Sequence, residues 1–152
     1  MEELRALLLI SAFRSTKPQI SSARAAMRRK RILIVEDDVD LRRMFRTALV
    51  MAGFDVEEAG DGLEALRAIE NRPPDLVVLD LVLRALDGVS VQQELAGRAV
   101  TRHIPIVVVT GSTLDTSALE VACVLRKPIV PDELIGTVRK CLGSGRGRPA
   151  GA

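Results

Sequence analysis

Four acidic residues stand directly after two predicted β-strands, where their carboxylates could do chemistry together. Glu36, Asp37 and Asp38 follow one short apolar run, and Asp80 follows another. Carboxylates placed just beyond two parallel strands would meet at one edge of a sheet. Because clustered negative charges repel one another, we expect a cation among them, either a divalent metal ion or Lys127. An anion such as a phosphoryl group could then be held against that positive charge.

Elements that could position these carboxylates alternate along the chain. Short apolar runs rich in β-branched residues predict strands buried on both faces at 31–35 and 76–79, and further strands are predicted at 54–59, 106–109 and 123–126. Apolar residues at helical spacing predict helices at 40–52, 63–70, 89–99, 114–121 and 131–142. This alternation indicates an α/β fold, a doubly wound parallel sheet of five strands. Ligands of such sheets bind beyond the carboxyl ends of the strands.

Two more polar residues fall at this edge of the predicted sheet. Thr110 ends the fourth strand and Lys127 follows the fifth. Each residue alone has a plainer interpretation: Asp37 and Asp38 could cap a helix, Asp80 could be a turn residue, and Thr110 could be an ordinary strand residue. Because these residues stand at the ends of four predicted strands, we expect their side chains to form a single pocket.

Composition and charge divide the 152 residues into three parts. Residues 1–30 form a basic N-terminal extension of net charge +5, part of which we expect to be disordered. Residues 31–142 hold thirteen Lys or Arg and eighteen Asp or Glu, and predict one acidic globular domain. Residues 143–152 are a Gly/Arg/Pro tail that we also expect to be disordered. The net charge of +2 therefore does not indicate a nucleic-acid-binding protein.

Several classes of protein do not fit the sequence. No apolar run is long enough to span a bilayer. Cys123 and Cys141 lack metal-ligand spacing and are interpreted as buried free thiols, which favours a reducing cytoplasm. His103 is the only histidine, so a histidine-based relay within the chain is excluded.

Ordered motifs along the chain resemble the receiver domain of two-component response regulators. They are ILIVEDD at 32–38, GDGLEAL at 60–66, PDLVVLD at 74–80, DG at 87–88, IPIVVVT at 104–110 and KP at 127–128. The resemblance covers about residues 31–142. It implies a flavodoxin-like receiver fold with strand order 2-1-3-4-5, an order for which a chemotaxis protein of this family is a known example.

The resemblance implies a phosphorelay function. Asp80 matches the phosphoacceptor, which takes a phosphoryl group from a sensor histidine kinase or a phosphotransfer protein. Thr110 and Lys127 match the hydroxyl and the ammonium that bind phosphoryl oxygens. Phosphorylation would then change binding to a downstream protein. The chemistry would be self-phosphorylation and self-dephosphorylation, not turnover of a substrate, so an enzyme in the usual sense is not expected.

A metal site is also implied by the resemblance. Asp37 and Asp38 match the acidic pair that holds Mg²⁺, with Asp80 and the backbone carbonyl of Val82 as further ligands. Mg²⁺ prefers hard oxygen ligands and keeps some waters, so this set would suffice.

The sequence departs from the family pattern in its loops. Arg84 stands where the family usually has Pro, and adds a cation beside the acceptor. The stretch from Thr110 to Lys127 is short, so we expect a shortened fourth helix. Val124 stands where the family often has an aromatic residue, and the chain has no Tyr. The output mechanism therefore cannot use that aromatic side chain.

Alternative functions remain at this point. The chain could be a stand-alone receiver, since little sequence follows Leu142, or an adaptor that acts mainly by protein binding or as a phosphate sink. A regulator that uses its basic arm on nucleic acid would need interleaved aromatic residues or a recognition helix, which we do not find. A phosphoaspartate-forming hydrolase would need a second Asp at the position of Val82. We therefore expect neither nucleic acid nor a membrane as partner.

Overall fold

A five-stranded parallel sheet forms the centre of residues 28–144, the part of the chain that this computed structural model describes. In chain order the strands are β1 (Arg31–Val35), β2 (Asp55–Ala59), β3 (Leu76–Leu79), β4 (Ile106–Thr110) and β5 (Cys123–Arg126). They lie in the order β2-β1-β3-β4-β5, which confirms the predicted sheet. The predicted disorder of the extension and of the tail falls on residues that lie almost wholly outside the described part, at 1–27 and 145–152.

Four helices connect or follow the strands within residues 28–144: α1 (Val39–Met51), α2 (Gly62–Asn71), α3 (Gly88–Gly97) and α4 (Pro131–Gly143). An aspartate side chain accepts a hydrogen bond from a backbone N–H in the first turn of each of the first three helices, which is why they begin where they do. Pro131 begins the fourth, a position that suits its fixed φ. None of these helices is long and apolar enough to cross a membrane.

The core lies on both faces of the sheet because successive strand side chains point to opposite sides. On one face, Ile32 and Ile34 of β1 belong to a buried cluster with Phe45 of α1 and Leu134 of α4. On the other face, Leu33 belongs to a cluster that includes residues of α2 and α3. Burial on both faces explains why β3, and β1 from Ile32 onward, are continuous apolar runs without alternation.

The predicted fourth helix at 114–121 is wrong. Residues 111–122 connect β4 to β5 without a helix, in about the minimum length for a parallel crossover. Side chains compete for the backbone there: Ser112 Oγ accepts from Leu114 N at 3.1 Å, and Asp115 Oδ1 accepts from Ser117 N at 2.9 Å. Such local bonds offer backbone N–H groups an alternative to the helix. A short segment rich in these residues therefore stays irregular.

Candidate functional site

Asp80 lies at the carboxyl end of β3, the central strand, and is 5% exposed. Its backbone N–H donates to Val35 O at 3.0 Å, which continues the pairing of β3 with β1. Both carboxylate oxygens have partners: Oδ1 accepts from Val82 N at 3.1 Å, and Oδ2 accepts from Lys127 Nζ at 2.8 Å. The carboxylate is therefore buried, oriented and paired with a positive charge.

Lys127 reaches this carboxylate from the residue after β5. Its backbone N–H donates to Thr110 O at 3.0 Å, and a cis peptide bond joins it to Pro128. Its ammonium donates to Glu36 Oε2 at 2.6 Å as well as to Asp80. Burial favours the neutral amine, but the hydrogen bonds to Asp80 and Glu36 outweigh it and raise the pKa of Lys127 above its usual value. The ammonium is thus held charged between two buried carboxylates.

Glu36 is the first residue after β1, and its backbone still behaves as part of the strand. Its N–H donates to Ala59 O at 3.1 Å, and its side chain is buried. Burial raises the pKa of the Glu36 carboxyl, with a smaller contribution from Asp80, while hydrogen bonds from Lys127 and from the backbone of Asp38 lower it. The net shift is upward, so placing a negative charge at Glu36 costs free energy.

Three carboxylates meet in the pocket. Oxygen atoms of Glu36, Asp37 and Asp80 all lie within 4.8 Å of one another. Lys127 contacts two of them, and the third, Asp37, has the guanidinium of Arg84 nearby, with Nε 3.7 Å from Oδ2. The cluster offers hard oxygen ligands close enough to share one small cation, which fits Mg²⁺.

The structure does not bring Asp38 into this cluster. Asp38 Oδ1 accepts from Leu41 N at 2.9 Å, so its side chain is the N-cap of α1. The acids that share the pocket are Glu36 and Asp37, one residue earlier than the predicted pair. A signal for this shift exists in the sequence, because an Asp directly before an amphipathic run has the position of a helix cap. The first acid of the three then stays next to the strand end.

Thr110 and Val82 lie at the same edge with less direct contacts. Thr110 ends β4 fully buried, and its Oγ1 accepts from Ser112 N at 3.1 Å. The Val82 side chain is largely exposed, and its backbone N–H donates to Asp80. The roles predicted for the Thr110 hydroxyl and the Val82 carbonyl stay predictions.

The loop after Asp80 is held by two glycines that leave no room for a side chain. A Cβ at Gly88 would lie 2.1 Å from Asp80 O, and a Cβ at Gly62 would lie 2.0 Å from Leu86 O. Within this loop Ala85 has φ +63°, a conformation that glycine adopts more easily. These close approaches fix the backbone beside the acceptor carboxylate.

Comparison with known proteins shows which family the sequence matches. A family model described as the response regulator receiver domain matches residues 32–139. A probable transcriptional regulator, ycf27 of Cyanophora paradoxa, is 39% identical over 119 residues, which are 75% of this chain and 48% of that protein. The DNA-binding response regulator MtrA of Mycobacterium tuberculosis is 37% identical over 130 residues, 80% of this chain and 54% of that protein. The chain thus spans about half the length of these curated relatives.

Solved structures show the same architecture. A sensor protein from Polaromonas sp. JS666 matches with TM-score 0.70 and 32% identity, covering 77% of this chain and 98% of that one. The chemotaxis response regulator CheY4 of Vibrio cholerae matches with TM-score 0.70 and 25% identity, covering 75% and 99%. Both similarities span nearly the whole of the compared chain.

Proposed function

This chain belongs to the family of response regulator receiver domains, and from that premise we propose that it accepts a phosphoryl group on Asp80 in a phosphorelay. The donor would be the phosphohistidine of a sensor histidine kinase or a phosphotransfer protein. The observation that supports this most is the meeting of Asp80 with Lys127, Glu36 and Asp37 at the ends of three strands. The similarity to the response regulator MtrA agrees with this proposal.

The Asp80 carboxylate would act as the nucleophile. One of its oxygens forms a bond to phosphorus while the phosphorus–nitrogen bond of the donor breaks, and the imidazole keeps that electron pair and takes up a proton. The product is an acyl phosphate. Val82 N and Lys127 Nζ hold the two carboxylate oxygens, so the nucleophile is oriented before the donor arrives.

Lys127 and Thr110 would bind the transferred group. The ammonium of Lys127 already lies 2.8 Å from Asp80 Oδ2, where it can offset the charge of a phosphoryl oxygen. The Thr110 hydroxyl can donate to another phosphoryl oxygen and carry the attached backbone with it, because Ser112 N is bonded to the same Oγ1. This coupling to residues 111–122 supports a change in partner binding on phosphorylation.

Mg²⁺ would be held by Asp37, Asp80 and Glu36, with the carbonyl of Val82 as a further ligand. When bound, it would supply the positive charge that a carboxylate needs to approach a phosphoryl group. Asp38 is engaged as a helix cap and would reach the ion at most indirectly.

The proposed chemistry is self-modification of a signalling protein, which we place in the cytoplasm. Turnover of small phosphate esters is not part of it, because a phosphoaspartate-forming hydrolase would need an acid where the chain has Val82. Downstream, we propose a protein partner rather than DNA, although the relatives named above include a DNA-binding regulator of which this chain covers about half. The expectation of a stand-alone domain stays a prediction.

A small phosphodonor tests the proposal. With Mg²⁺ present, we expect intact-mass measurement to show one added phosphoryl group on the wild type and none on Asp80→Asn. Asp87→Asn is the matched control: Asp87 follows the same loop but caps α3, a role that Asn also fills, so labelling should persist. Without Mg²⁺ we expect labelling to fall sharply.

Two results would contradict the proposal. Labelling of Asp80→Asn at the wild-type level would exclude Asp80 as the acceptor. Labelling of the wild type that chelation of Mg²⁺ leaves unchanged would exclude the metal role of the acidic cluster.

A further inference from the structure

Arg84 lies beside the acidic cluster, with its Nε 3.7 Å from Asp37 Oδ2. We propose that Arg84 is a tethered counter-cation, which pairs with Asp37 in the metal-free protein and must leave when Mg²⁺ binds. It would thereby weaken the affinity of the site for Mg²⁺. This inference rests on the proposed function, since it assumes the metal site.

The two cations of the site differ in how easily they can leave. The Lys127 side chain is 21% exposed and donates two short hydrogen bonds to buried carboxylates. The Arg84 side chain is 81% exposed, and its Nε lies 3.7 Å from Asp37 Oδ2, beyond hydrogen-bonding distance. An exposed pair of this kind is weak and screened by salt. Arg84 can therefore be displaced at little cost, whereas Lys127 stays.

Charge balance indicates when Arg84 is needed. Glu36, Asp37 and Asp80 carry three negative charges when ionised, and Lys127 supplies one positive charge. Without a metal ion, Arg84 reduces the remaining charge next to Asp37. With a divalent ion, the ion and Lys127 together neutralise the three carboxylates, and the charge of Arg84 becomes redundant.

The backbone around Arg84 supplies the tether. Arg84 O accepts from Leu86 N at 2.8 Å and from Gly62 N at 3.5 Å. Ala85, with φ +63°, completes the tight bend. The backbone is fixed beside the pocket while the side chain is free to move, so the guanidinium keeps a high effective concentration near Asp37.

Calorimetric titration of Mg²⁺ at low ionic strength tests this directly. We expect Arg84→Gln to bind Mg²⁺ about two- to fivefold more tightly than the wild type, the range that corresponds to an exposed ion pair. Arg84→Lys should stay close to the wild type. Arg102→Gln is the matched control: it removes the same charge from an exposed residue in the turn before β4, at the opposite edge of the sheet. The difference between Arg84→Gln and the wild type should shrink as salt is added.

Other results would overturn the inference. Equal Mg²⁺ affinities of the wild type and Arg84→Gln would show that Arg84 does not oppose the ion. An equal gain of Mg²⁺ affinity in Arg102→Gln would show that the effect of Arg84 is not local. Weaker binding by Arg84→Gln would mean that Arg84 supports the loop instead of opposing the ion. If the wild type and Asp37→Asn both show no Mg²⁺ binding, the metal site itself fails, and the inference fails with it.

Discussion

Glu36 is the carboxylate of the pocket whose negative charge is the most costly to bury. It is 3% exposed and shares the ammonium of Lys127 with Asp80, so its negative charge is poorly compensated before a metal ion arrives. Burial raises its pKa for this reason. A buried carboxylate with a raised pKa is expected at a binding site. There, a protein loses some folding stability because it holds a metal-binding side chain in place before the ion binds.

We expect Glu36→Gln to make the metal-free protein more stable than the wild type at pH 7. In the wild type the folded state holds a proton on Glu36 more tightly than the unfolded state does. The contribution of Glu36 to the free energy of unfolding therefore falls as pH rises from about 4.5, the usual pKa, through the raised pKa of the folded state. Glu36→Gln has no carboxyl group to ionise at this position and does not lose this stability. The difference in stability between the variant and the wild type should therefore vanish at pH 4. Urea unfolding with a chelator present at both pH values measures it.

Glu120→Gln is the control for this comparison, since it removes a carboxylate from an exposed residue. Its difference from the wild type should be small at both pH values. A Glu36→Gln protein less stable than the wild type at pH 7 would show that pairing with Lys127 outweighs the cost of burial.

At the scale of elements, the connection at residues 111–122 is an irregular segment, although the sequence pattern predicts a helix there. Arg126 at the end of β5 holds it: its guanidinium donates to Ser112 O, to Leu114 O at 3.2 Å and to Thr116 Oγ1 at 3.5 Å. The segment begins next to Thr110, whose hydroxyl accepts from Ser112 N. Arg126 thus helps to order a segment that forms no helix.

We expect Arg126→Gln to loosen this segment without unfolding the sheet. Hydrogen bonds from a charged donor stabilise by about 1.5–3 kcal/mol when protected, and less at this exposed site, so amide exchange at 112–121 should speed up about tenfold. Hydrogen exchange read by mass spectrometry measures this.

Arg139→Gln provides the comparison for Arg126. It removes another exposed arginine that donates to a backbone carbonyl, Ala52 O, far from the segment. Its exchange at 112–121 should match the wild type. Unchanged exchange in Arg126→Gln would mean that the local turns alone order the connection.

At the scale of the whole molecule, charge separates the sheet domain from its ends. Residues 31–142 carry a net charge of −5, and residues 1–30 carry +5. An acidic domain repels the phosphates of DNA, so any attraction must come from the basic end. The DNA-binding response regulator MtrA is longer than this chain, which covers about half of its length.

We expect the full chain to bind duplex DNA only weakly and without sequence preference. Fluorescence anisotropy at low salt should show binding that is lost by about 0.2 M salt, because only phosphate contacts would hold it. Unlabelled DNA of unrelated sequence should compete equally well. Binding that survives this salt and prefers one sequence would contradict the prediction that DNA is not a partner.

The sequence alone was sufficient to predict the sheet and most of the pocket. Continuous apolar runs specify buried parallel strands, and the residues that follow them must then lie at one edge, which is why Asp80, Asp37 and Lys127 were expected to lie together.

Only the tertiary structure showed that Glu36 enters the pocket with Asp37, because the backbone of Glu36 is held beside the end of β1 by its hydrogen bond to Ala59 on β2. Only the tertiary structure showed that residues 111–122 form no helix, since Arg126 and local side-chain bonds outweigh a weak helical pattern. The strand pattern is local and repeats along the chain. The bonds from Glu36 to Ala59 and from Arg126 to Ser112 join residues that are further apart in the chain, and they exist only once the sheet has formed.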